Sequence, residues 1–370
     1  MTTQQPHESI GYKQIYKSID LNHCIEHFSN GDTLHTIIHD HPDKHSPLAI
    51  IEDFIRDIIK YNDLAYDQEF LSKKHLMIEN RELSRYFNYL DHCLDSYSEE
   101  YVYCPQVQLF YEACKSLEIQ PGWHYFTKPL DLCINTSYIN CADLFNKLID
   151  RIRMIHSSSR YRKKQHNFNK HLLKRTARVL TWEQDLFKWR SRHLILFLTL
   201  SYKAEYRSNV TVEQIQDDLF RLLNNRRHNA LLNGINAYCW KIEEGGKVGL
   251  HVHLVMAYKT TSNRDINIAD QIGQHWESVI TNGIGQFNNE NSHRGSHWRQ
   301  ELGMSTGQIN HNDEVQRNGL RKLLEYLAKA DQYLKHKTTA KTRTFQLSQI
   351  PEKSQRGRPR GKNDINIVQA

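Results

Sequence analysis

The stretch INAYCWKIEEGGKVGLHVHLVMAY, residues 235–258, reads as two strands, Ile235–Glu243 and Leu250–Tyr258, joined by a glycine-rich turn. Aromatic and aliphatic residues fill both runs and Gly245, Gly246 and Gly249 lie between them, so a hairpin is expected. His251 and His253 stand two apart on the second strand. They therefore share one face, about 6–7 Å apart along the backbone, while Val252 and Leu254 point to the opposite, core-facing side. Two imidazoles so placed can turn toward one ion. Glu243 and Glu244 end the first strand across the turn, and either carboxylate can complete a two-histidine, one-carboxylate site with open positions for a catalytic divalent ion.

Outward from this hairpin, HLILFLTLSYK (193–203) reads as a buried strand and residues 210–230 as a helix with Thr211 as its cap. A helix is expected over 265–281, followed by a polar stretch containing NNENSHRGSH, and a longer helix over 313–335. The order β-α-β-β-α-α predicts an α+β domain, residues 186–345, with a central antiparallel sheet flanked by helices. The tail, 346–370, is polar and basic and is expected to be disordered. A cupin metal signature also opens with Gly245 and five residues before His251-x-His253. It then needs a Glu three or four residues after the second histidine, where this chain has Ala257 and Tyr258, so that spacing fails.

Charge divides the chain of 370 residues. Residues 1–150 hold 12 Lys+Arg and 23 Asp+Glu, a net of −11; the remainder nets +18. The acidic part reads as a mostly helical accessory region, with PLAIIEDFIRDIIKYNDLAY (47–66) placing Ile50, Ile51, Phe54, Ile55, Ile58 and Ile59 at helical spacing, and further helical patterns near 74–97 and 141–156. His35, His39, His41 and His45 include an HxxxH pair, a weak metal signal without a third ligand. The basic segment 151–185 begins with ten Lys/Arg and no Asp/Glu between Arg151 and Arg178. Arg160, Arg162, Lys163 and Lys164 are candidate DNA contacts there, and Tyr161, His166 and Phe168 are interleaved aromatics able to stack on bases; the alternative is a basic linker. Mean hydropathy is −0.70, no apolar run approaches a membrane span, and the first residues lack a secretory pattern. Seven scattered cysteines without a CxxC pair support neither a disulfide framework nor a cysteine zinc site, so a reduced, soluble, cytoplasmic protein is expected.

On the 313–335 helix, Leu320, Leu323, Leu324, Leu327 and Leu334 form one apolar stripe, and Tyr326, Lys329 and Tyr333 cluster on a neighbouring face. A tyrosine hydroxyl is a weak nucleophile at neutral pH. A neighbouring cation lowers the cost of its phenolate, and a metal polarises a phosphate it attacks.

Phe197-Leu198-Thr199-Leu200-Ser201-Tyr202, His251-Val252-His253 and Tyr326-x-x-Lys329 occur in the order of the three motifs of the HUH endonucleases. Within that superfamily the chain resembles the inovirus-type replication initiators of filamentous phages, over about residues 190–350. The resemblance implies that His251 and His253 bind the ion, with Glu243 or Glu244 as third ligand, and that Tyr326 is the nucleophile. Lys329 would position the phosphate or the phenolate, and Tyr333 is the alternative or second nucleophile. It further implies Mg²⁺ or Mn²⁺, nicking of single-stranded or extruded origin DNA through a 5′-phosphotyrosine, and rolling-circle replication with a host helicase and polymerase as partners. A conjugative relaxase or single-strand transposase shares these motifs, and a non-catalytic DNA-binding regulator would keep only the basic surfaces. In the tail, Arg356-Gly357-Arg358-Pro359-Arg360 resembles an AT-hook core, an expected contact to the minor groove of duplex DNA through Arg356, Arg358 and Arg360.

Overall fold

Burial of the isoleucine and phenylalanine face of Pro47–Lys60 (α1) organises the first half of the chain. Ile51, Phe54, Ile55 and Ile58 lie inside, as their spacing requires. The computed structural model describes residues 11–15, 25–30, 33–38, 47–71, 74–133, 139–245, 248–259, 263–292, 303, 305–337 and 342–352. Around α1 pack the short helices α2 (Arg81–Ser84) and α3 (Leu90–Asp95), then α4 (Pro105–Ser116) and α5 (Cys141–Ser157). Phe54, Phe87, Phe110, Phe126 and Phe145 meet ring to ring between them.

This half is less uniformly helical than its periodicity predicts. Two antiparallel hairpins occur, β1 (Ile25–Asn30) with β2 (Thr33–Ile38) and β3 (Tyr66–Leu71) with β4 (Lys74–Glu79), and β5 (Tyr101–Tyr103) precedes α4. The helix expected over 74–97 is replaced by β4, α2, a 3₁₀ turn and α3, because cross-strand pairing of 74–79 with 66–71 overrides local propensity. The basic segment is helical. Residues 151–157 end α5, and from Ser159 it is one helix, α6 (Ser159–Trp189), capped by the Ser158 hydroxyl accepting from the Tyr161 amide.

The second half is an antiparallel sheet between helices, so the α+β expectation holds. Its strands are β6 (Arg192–Tyr202), β7 (Ile235–Gly245), β8 (Gly249–Tyr258), β9 (Gly285–Asn289) and β10 (Gly307–Asn310), with β11 (Leu334–His336) pairing back to β5 and β12 (Phe345–Leu347) on the outer edge of β7. β8 lies between β6 and β7; on its far side, β6 pairs with β10 along its first residues and with β9 along its last. The strands β9, β10 and β12 were not legible as elements. The helices are α7 (Val212–Asn224), α8 (Asp265–His275, running into a π turn) and α9 (Glu314–Tyr333). The expected Thr211 cap forms, its Oγ1 accepting from the Gln214 amide at 3.1 Å.

Both sheet faces are covered, which is why β6 reads as an unbroken apolar run. On one face Leu196, Leu198, Trp240, Val252 and Leu254 pack against Ile215, Leu219 and Leu222 of α7 and Ile272 of α8. On the other, Ile195, Phe197, Cys239 and Val255 pack against Leu320, Leu323 and Leu327 of α9. That second core runs on without a break through Val179 and Leu186 of α6 to Phe54 and Phe110 of the first half.

Candidate metal centre

The β7–β8 register places Glu243 opposite His251 and Lys241 opposite His253. Because residues two apart share a face, all four side chains meet on the face turned toward α9. Glu243 Oε2 lies 3.2 Å from His253 Nε2 and 3.8 Å from His251 Nε2. One ligand atom from each of Glu243, His251 and His253 falls within 4.8 Å of the others, so among the described residues this is the group that can hold a metal ion. Its donor set, two imidazole nitrogens and a carboxylate oxygen, suits a divalent transition ion. Glu244, the other candidate ligand, is turned elsewhere; its Oε2 accepts from the Tyr101 hydroxyl at 3.1 Å.

The centre is enclosed. His251 and His253 are 2% exposed and Lys241 3%. Burial pushes the Glu243 carboxyl up, but the Lys241 ammonium and the two imidazoles more than offset this and hold it well below the usual carboxylate range. Glu243 therefore stays an anion in a dry site, with Lys241 Nζ bonded to its Oε1.

Behind the imidazoles lies a second layer of polar groups. His253 Nδ1 is 3.2 Å from Thr199 Oγ1, and that hydroxyl donates to Glu290 Oε1 at 3.0 Å. Asn288 Nδ2 donates to the same oxygen at 2.6 Å. With the hydroxyl proton committed to Glu290, Thr199 is an acceptor for Nδ1–H, which leaves Nε2 facing the centre as the ligand nitrogen. His251 Nδ1 sits 3.0 Å from the Gly249 carbonyl, which fixes that ring in the same sense.

The Tyr326 hydroxyl donates to Glu243, 2.9 Å from Oε1 and 3.2 Å from Oε2. Tyr326 has no exposed surface. Off the leucine stripe, it is nonetheless fully buried, because α9 is covered by the sheet on one side and by α6 on another. Lys329 donates to Glu325 Oε2 at 3.0 Å, a buried pair one turn apart. The cation sharing the phenol's acceptor is Lys241, whose ammonium lies 5.8 Å from the Tyr326 ring centre. Tyr333 packs edge-on to Phe168, and burial together with nearby Glu52 and Cys104 raises its hydroxyl far above the ordinary value, which disfavours a phenolate there.

Lys241, Thr199 and Glu290 were missed by sequence reasoning. Lys241 was findable, two residues before Glu243 on the same strand face. Thr199 follows only from its register opposite His253. Glu290 is brought in by the return of β9 onto β6, with its amide bonded to the Phe197 carbonyl, and has no local signature.

Arg160, Arg162, Lys163 and Lys164 lie exposed on α6, an element that carries none of the metal ligands. The interleaved aromatics do not offer stacking faces: Tyr161 is buried against His156, and Phe168 is partly buried on Tyr333, while His166 is exposed. Arg356, Arg358 and Arg360 lie outside the described residues, as do His39, His41 and His45; His35 belongs to a strand, not a helix. The described cysteines are free. Among the described residues no helix is long and apolar enough to cross a membrane. Comparison with protein-family models, with curated proteins and with solved structures gives no match.

Proposed function

We propose that this chain is a metal-dependent DNA-nicking and strand-transfer enzyme of the HUH type, acting in rolling-circle replication. One observation carries the reading: the Tyr326 hydroxyl rests on the carboxylate that also faces His251 and His253. A tyrosine that only packs has no need of a buried anion, two imidazoles and an ammonium around its hydroxyl, since each costs desolvation.

In this reading Tyr326 attacks a backbone phosphorus. Its oxygen forms the new P–O bond as the P–O3′ bond breaks, the proton lost by the phenol is balanced by the one the leaving 3′ oxygen takes up, and the 5′ side stays as a phosphotyrosine. The product is still a phosphodiester-type ester, so the same site can rejoin ends. Glu243 receives the phenolic hydrogen bond, and Lys241 lowers the cost of the phenolate. His251, His253 and Glu243 would hold a divalent ion, Mg²⁺ by availability or Mn²⁺ by affinity for imidazole, which would supply Lewis-acid polarisation of the phosphate. Thr199 and Glu290 keep the His253 ring oriented. Since Tyr326 is enclosed, a strand reaches it only when segments packed over it move aside.

The test is covalent capture. Incubation with end-labelled single-stranded DNA and Mn²⁺ yields an adduct that maps to Tyr326, is absent from Tyr326→Phe and is absent with EDTA. His251→Ala and His253→Ala lose the adduct but keep DNA affinity, which rests on phosphate contacts. An adduct formed by Tyr326→Phe at wild-type yield ends the assignment.

A further inference from the structure

The charge imbalance between the two halves of the chain has a simple internal explanation: the acidic half could neutralise the basic segment. The structure does not use it. Of the ten cations between Arg151 and Arg178, Arg153 pairs with Asp150 and Lys164 with Glu112, both exposed pairs with at least one partner half in solvent. Arg160, Lys163, Lys170, Lys174 and Arg178 are exposed and, among the described residues, meet no carboxylate.

These cations are also ordered in space. At about 100° per residue, Arg160, Lys163, Lys164, Lys170, Lys174 and Arg178 fall within one third of the circumference of α6. They recur about once per turn along about 27 Å. His171 lies on the same line. The adjoining side of the helix is held by the core through Tyr161 at one end of the row and Val179, Trp182, Leu186 and Phe187 beyond the other, and Glu183 is anchored to Arg317 and Arg321 of α9. The line is therefore a rigid row of positive charge on a fixed rod, not a flexible basic tail.

We propose that the outer face of α6 binds the sugar–phosphate backbone of duplex DNA without regard to sequence. A row of like charges repels itself, and a polyanion with regularly spaced phosphates relieves that repulsion while releasing its counterions. The choice of duplex over single strand rests on what the row lacks. Sites for single strands combine cations with aromatic platforms, and here the two larger rings of the segment, Tyr161 and Phe168, are turned inward against His156 and Tyr333, leaving only the small imidazoles of His166 and His171 outside. An anionic membrane surface is disfavoured because the apolar side of the helix is already buried. The proposal is independent of the metal-site chemistry, and it extends the DNA contact from residues 160–164 to Arg178.

The experiment uses the full chain carrying Tyr326→Phe, in EDTA, so that neither cleavage nor metal enters. Binding of a fluorescent 20-bp duplex and of its single strand is titrated at salt concentrations from 50 to 200 mM. Lys170→Gln, Lys174→Gln and Arg178→Gln are combined; all three positions are exposed, and glutamine is a good helix former. The expected result is a duplex log–log salt slope shallower by about 2.7, so that the parent's affinity loss across this range exceeds the variant's by about 40-fold. Lys170→Arg with Lys174→Arg keeps the parent slope, showing that charge and not packing was changed. An unchanged duplex slope in the glutamine variant overturns the proposal. A larger change on the single strand than on the duplex overturns it equally, since the row would then serve unpaired DNA.

Discussion

His193 shows how one buried side chain sets a pH dependence. It stacks on Trp189 and its Nε2–H donates to the Leu186 carbonyl at 2.9 Å. Burial pushes its pKa down to about 4, with the Leu186 carbonyl opposing the shift. A histidine depressed in the folded state keeps its full contribution above the unfolded value near 6.5, and that contribution is lost as pH falls from there toward 4, because the unfolded chain takes up the proton first. At pH 5 the linked loss is about 2 kcal/mol. Urea midpoints at pH 7.5 and 5 should differ less for His193→Gln than for the parent by about that amount; an equal pH response in both would refute the linkage. At the centre itself, Thr199→Val removes the hydroxyl between Glu290 and His253 while keeping the shape. Outer partners of metal-bound histidine are commonly worth 10–100-fold in metal affinity. Calorimetric titration with Mn²⁺ should show a weakening of about that size, and wild-type affinity in the variant would show that the Thr199 bond does not orient the ring.

At the scale of elements, the junction between α6 and α9 is where electrostatics does most for the fold. Glu183, with no exposed surface, accepts from Arg317 at 2.7 and 3.0 Å and from Arg321 at 3.2 Å. A buried anion of this kind is tolerated only with such partners, and removing it leaves the 14%-exposed Arg317 guanidinium without its carboxylate and the 12%-exposed Arg321 with Glu314 alone. Glu183→Ala should therefore cost about 3–5 kcal/mol, read as a shift of the urea midpoint at constant slope. A cost below about 1 kcal/mol would place the pair among ordinary surface bridges. The same junction holds α9 against the helix that carries the row of cations, so the loss should appear in duplex affinity as well.

Across the whole molecule, the two halves share one core. Phe54, Phe110 and Leu186 belong to the same continuous apolar cluster as Phe197, Leu324 and Tyr326. β5 pairs with β11 in register Tyr103 to Leu334, and the Cys104 amide bonds to the Tyr333 carbonyl at 3.0 Å. The acidic half is thus packed over the end of α9. Calorimetry should give one transition whose van't Hoff and calorimetric enthalpies agree. Two resolved transitions would show instead that the halves fold as separate units.

The local patterns written in the sequence, period two in 235–258 and period 3.6 in 47–60 and 314–333, determined the hairpin, the main helices and the α+β class, because such periodicity survives any tertiary context that buries one face. They also placed His251, His253, Glu243 and Tyr326 among the candidate residues. What they left open was decided by packing between distant segments. The register of β7 on β8 chose Glu243 over Glu244 and added Lys241. The return of β9 to β6 brought Glu290 behind His253. Hairpin pairing turned 74–79 from an expected helix into a strand, and the packing of Tyr161 on His156 and of Phe168 on Tyr333 took the two larger rings off the exposed basic face. The Glu290 and Phe168 contacts join residues tens of positions apart, and the hairpin registers are set by pairing across a turn; neither is written in the period of one segment.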